Sequence, residues 1–84
     1  MKIKIMKRNK TLEGNGASGT LDALREDALL PAPNMEIYRM ELRKRLTVWL
    51  GRDIMSDDDM ELLEILEGIG TIEILNREDT EGKR

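Results

Sequence analysis

The chain opens on strict alternation. Lys2-Ile3-Lys4-Ile5 puts Ile3 and Ile5 on one side and the two lysines on the other, which predicts a half-buried strand over residues 2–7. Residues 8–19 break the pattern with Gly14, Asn15, Gly16, Ser18 and Gly19, and they predict a flexible Gly-rich loop. A helical period follows. Leu21, Leu24 and Ala28 recur at i, i+3 and i+7, with Thr20 placed to cap a short helix and Pro31-Ala32-Pro33 to end it.

Asn34 is a good N-cap for the longest predicted helix, over residues 35–51. Met35, Tyr38, Leu42, Leu46, Trp49 and Leu50 cluster on one face at 100° per residue, Glu41 and Arg45 form an i, i+4 pair, and Gly51 suits the stop. The opening Met35-Glu36-Ile37 also fits a strand, but the later spacing favours helix. Ile37, Met40 and Val48 form a second apolar stripe, interrupted by Lys44. A helix apolar on two sides is buried on two sides, so this stripe is covered either within the monomer or by another subunit.

Ser56-x-x-Asp59 reads as a capping box for a third helix, with Leu62, Leu63, Ile65, Leu66 and Ile69 as its apolar face and Gly68 and Gly70 at its end. Alternation then returns in Thr71-Ile72-Glu73-Ile74-Leu75. The predicted order is β-α-α-α-β, an α+β domain over residues 1–76 whose two chain-end strands pair over two or three helices. The pattern leaves parallel and antiparallel pairing open. Residues 77–84 are charged and carry no apolar side chain, which predicts a disordered tail.

Composition narrows the chemistry. A chain of 84 residues buries only about 60–65% of its unfolded surface, and here the core is almost wholly aliphatic, since Tyr38 and Trp49 are the only aromatic residues. Cys and His are both absent. Thiolate nucleophiles, imidazole bases and the usual zinc sites are therefore excluded, and no cofactor or metal is expected. No apolar run reaches the ~20 residues needed to span a bilayer, so a cytoplasmic protein without membrane contact is expected.

Charge is segregated along the chain. Residues 1–10 carry five cations and no acid, residues 35–52 are net positive, and residues 53–67 carry seven acids and no base, within a formal net charge of −3. Gly14-Asn15-Gly16-Ala17-Ser18-Gly19 matches G-x-G-x-x-G, but it does not follow its strand directly and the chain is too short for a doubly wound sheet. Asp57-Asp58-Asp59 lacks the alternation of a calcium loop and suits a helix N-terminus.

Two surfaces remain as candidates. Asp57, Glu61, Glu64 and Glu67 share one side of the third helix around Met60, which reads as an exposed apolar anchor in a docking face for a protein with a basic surface. Lys2, Lys4, Lys7, Arg43, Lys44 and Arg45, joined by Arg8 and Lys10, are the possible nucleic-acid contacts, although the chain has few aromatics for stacking. The resulting expectation is a small non-enzymatic binding protein that regulates or inhibits a larger macromolecular partner through charged contacts. The alternative is a small nucleic-acid-binding regulator using the basic first strand and the basic part of the second helix. A homodimer through Ile37, Met40 and Val48 is expected in either case.

Overall fold

The computed structural model describes residues 1–76, and the predicted tail, 77–84, lies outside the described residues. The protein is an α+β fold of order β-β-α-α-α-β. Strand β1 (Lys2–Ile5) is the centre of a three-stranded antiparallel sheet, flanked by β2 (Lys10–Glu13) and β3 (Ile72–Asn76). Helices α1 (Gly16–Asp27), α2 (Met35–Leu50) and α3 (Asp59–Gly68) follow β2 in sequence. α1 lies against β2 and α3, and α3 against β3.

The register explains why the terminal strands pair. Ile3 sits between Leu12 and Ile74, and Ile5 between Lys10 and Ile72, so the apolar side chains of three strands share the helix-facing side. On the other side Lys2 faces Glu13 and Lys4 faces Glu73, placing unlike charges across the strands. Leu75 is skipped where the register shifts between Lys2 and Ile3, a bulge at the end of the edge strand. Ile3, Leu21, Leu42, Leu46, Leu62, Leu63 and Ile72 form the centre of the core.

The sheet has one strand more than the sequence predicts, because residues 8–19 are not a loop. They hold β2 and the first turn of α1. Alternation in Lys10-Thr11-Leu12-Glu13 shows only one apolar residue, too little to register as a strand, and the pairing with β1 supplies what the pattern lacks. The glycines have duties inside this connection. Gly14 and Met1 exchange backbone hydrogen bonds of 2.9 and 2.8 Å, continuing the β1–β2 ladder. A Cβ on Gly14 would stand 2.3 Å from the backbone nitrogen of Thr20. Thr20 is consequently not a cap. It is buried one turn inside α1, where its hydroxyl donates to the Gly16 carbonyl at 2.7 Å.

The second helix follows its sequence signals closely. Asn34 accepts from the Ile37 N–H at 2.9 Å, and Gly51 ends the helix in a left-handed conformation with its N–H on the Thr47 carbonyl. Two details differ. Trp49 is 66% exposed, because the residues across from it, Ile5, Ile69 and the small Gly70 and Thr71, leave a groove in place of a closed core. Glu41 and Arg45 make no ion pair among the described residues. In α3 the cap is Asp58, not Ser56. Its carboxylate accepts from the Met60 N–H, while Ser56 accepts from the Asp58 N–H and donates to Glu61.

Gly14→Ala tests the close approach of β2 and α1. The added methyl meets backbone, which cannot rotate away, so a loss of about 2–3 kcal/mol is expected in urea unfolding. Gly68→Ala, in α3 where the new carbon meets open space, should raise stability by about 0.4–1 kcal/mol.

Candidate functional site

Three helices meet at one buried carboxylate. Asp59, the first residue of α3, turns into the protein and is buried. Arg39 of α2 grips it with two bonds, Nε to Oδ1 at 2.6 Å and Nη2 to Oδ2 at 2.9 Å, and Ser18 of α1 donates to Oδ2 at 2.6 Å. The hydrogen bonds from Arg39 hold the Asp59 carboxyl below its ordinary 3.8, against the opposing effect of burial, and Ser18 adds to the depression. The same pairing raises Arg39. Both carboxylate oxygens are engaged, so the trio acts as a three-way tie between helices.

The acidic set of α3 is largely engaged with the protein itself. Asp57 pairs with Arg43 at 2.9 Å, Glu61 accepts from Ser56 at 2.7 Å, and Glu67 accepts from the Ile74 N–H of β3 at 2.9 Å. Glu64 is exposed. Met60 is not an exposed anchor, since its side chain is half-buried and packs against the core. Among the described residues no three acids converge to hold a metal ion, because Asp57, Asp58 and Asp59 point to an ion pair, a cap and the interior respectively.

The basic residues divide between separate surfaces. Lys2 and Lys4 sit on the outer side of the sheet beside Glu13 and Glu73. Arg8 and Lys10 both reach Asp27 at the end of α1, clamping the β1–β2 turn to that helix. Arg43 is held by Asp57 and the Ser56 carbonyl, and Lys44 is exposed on the far side of α2. Lys7, Arg8 and Arg45 come together around Trp49.

These four residues line a groove of about 460 Å³ with Ile5, Leu46, Ile69, Gly70 and Thr71. Its floor is aliphatic, its wall is the exposed indole, and its rim is cationic, with no acid among the lining residues. Lys7 and Arg45 make no ion pair among the described residues, so their charge faces outward. Arg45 also stands close enough to Tyr38 to oppose the upward shift that burial imposes on the phenol. The apolar period groups Trp49 with the core and not with the cations. Nothing in the spacing could have joined them, because the groove forms between α2 and two turns far from it in sequence. The stripe of Ile37, Met40 and Val48 divides likewise: Ile37 is half-buried, whereas Met40 and Val48 are 43% and 84% exposed.

No protein-family model, curated protein or solved structure matches this chain. Among the described residues no helix is long and apolar enough to cross a membrane.

The tie at Asp59 makes a signed prediction. Because its folded pKa is depressed, its contribution to stability is fully present above the unfolded value near 3.8 and is lost as the pH falls through the folded value. Asp59→Asn should therefore cost about 2–3 kcal/mol at neutral pH and progressively less as the pH falls below 3.8, the cost being limited by the partial exposure of Arg39. A cost that does not change with pH would show that the charge on Asp59 is not what ties the helices.

Proposed function

We propose that this protein is a non-enzymatic binding protein that regulates or inhibits a larger macromolecular partner by surface contact, and that the contact is made through the Trp49 groove. The observation that carries this reading is a large exposed aromatic side chain over an aliphatic floor, ringed by Lys7, Arg8 and Arg45. Buried Trp anchors with a charged rim are where interface energy concentrates. The chemistry fits an acidic protein segment that presents an apolar side chain to the floor and carboxylates to the rim. The acidic side of α3 is the weaker candidate for a contact face, since Asp57, Glu61 and Glu67 already serve Arg43, Ser56 and β3.

A second reading is favoured by the same indole. Set among cations, Trp49 could stack a base of a single-stranded nucleic acid while Lys7 and Arg45 meet phosphates. Lys2, Lys4, Arg43 and Lys44 lie elsewhere, so the groove lacks the continuous basic track that follows a strand.

Trp49 is the only tryptophan in the chain, so its fluorescence reports on the groove directly. Acidic peptides carrying one Leu, Met or Phe should shift that emission in a salt-sensitive way, and Arg45→Glu should weaken the response about 10-fold or more. Basic peptides of the same length should give no change. A response confined to oligo-dT would transfer the groove to the nucleic-acid reading. No response to either probe would remove the groove as the contact surface.

A further inference from the structure

The face of α2 opposite its buried line is built to meet itself. Ile37, Glu41, Lys44 and Val48 are spaced 4, 3 and 4 residues apart, so they fall within about 60° of one another around the helix. They lie across the helix axis from Leu42 and Leu46, which point into the core. Glu41, Lys44 and Val48 are exposed and Ile37 is half-buried. Beside this line Met40, Val48 and Met55 border a depression of about 470 Å³ with Arg43, Lys44, Thr47 and Ile54, and Met55 is 79% exposed. Met40 and Val48 on this side of α2, with Met55 beyond its end, leave apolar surface open to water. In the midst of it stand one acid and one base, Glu41 and Lys44, neither of which makes an ion pair among the described residues.

We propose that α2 packs against α2 of a second copy of this chain, antiparallel about a two-fold axis, with Ile37 against the partner's Val48 and Glu41 against the partner's Lys44. The register follows from charge. A parallel pair would set Glu41 on the partner's Glu41 and Lys44 on the partner's Lys44. An antiparallel pair centred on position 44 would still join the two lysines, and one centred on position 41 the two glutamates. Centring the axis between positions 42 and 43 brings 37 to 48 and 41 to 44, and two-fold symmetry makes each contact twice. Every layer of the seam then joins apolar to apolar or acid to base. Lys44, which interrupts the apolar stripe when the helix is viewed alone, becomes the element that fixes the register. Met40 and Met55 flank the seam and cover its side. The Trp49 groove lies on the other flank of α2, a separate surface from this seam.

One helix face makes a small interface, so a weak, concentration-dependent dimer is expected. Sedimentation equilibrium up to about 1 mM protein at low salt measures it. Glu41→Lys alone and Lys44→Glu alone should each weaken the dimer about 10-fold or more, since each turns two attractive contacts into two repulsive ones. The double variant Glu41→Lys/Lys44→Glu should dimerise like the native chain. An equimolar mixture of the two single variants should form a mixed dimer, because each supplies the charge the other needs. Circular dichroism and thermal melting should show all variants folded, as both positions face solvent. A native chain that is monomeric throughout the range overturns the proposal. So does a dimer that both single variants leave unchanged, or single variants that are weakened but not rescued by mixing.

Discussion

Asp59 is the residue on which the arrangement of the helices depends. Its carboxylate accepts from Ser18 on α1 and from Arg39 on α2, and it begins α3. The apolar stripes bring three helices onto the sheet and decide which face of each is buried. A two-pronged guanidinium bond adds direction, because its donors match one orientation of the carboxylate. The same rotation of α2 turns Leu42 and Leu46 inward. It also decides which of the remaining side chains flank the core and which stand clear of it.

The segregated charge of the sequence is used in three ways. Part of it is matched across the sheet, with Lys2 and Lys4 opposite Glu13 and Glu73. Part ties connections to helices, as in Arg8 and Lys10 on Asp27 and Arg43 on Asp57. Exposed pairs of this kind add little to stability, so their main effect is to orient the turns that carry them. The third part forms no ion pair among the described residues and includes Lys7 and Arg45 at the groove and Glu41 and Lys44 on the outer face of α2. Both proposed contact surfaces draw on this third part, and both are sited on α2, one on each flank of its solvent side.

Much of the secondary structure could be read in advance where the local signal was strong. The Asn34 cap, the Gly51 stop, the 3.6-residue period between them and the Ile-x-Ile strands at both ends are all local features, and each appears where the pattern places it. Strand β2 was missed for a physical reason. Lys10–Glu13 has one apolar residue, and its identity as a strand comes from pairing with β1, an interaction its own sequence does not encode. The glycines likewise predict freedom, whereas Gly14 is required for its small size beside Thr20. The pattern places the cap of α3 at Ser56, whereas Asp58 is the residue whose carboxylate accepts from the Met60 N–H.

The sequence by itself determined the fold class, the helix-forming segments, the absence of Cys and His chemistry, and the presence of unlike charge blocks, since these depend on residue type and on periods of two and 3.6. It also marked Ile37, Met40 and Val48 as a second apolar stripe. Only the tertiary structure decided how the residues combine. It drew Met60 and Asp59 inward and engaged Asp57, Glu61 and Glu67. It also set Trp49 beside cations from the turn after the first strand, about 40 positions away in sequence. Side-chain surroundings of that kind are products of chain crossings, and a linear pattern records a residue's neighbours along the chain but not those across a fold.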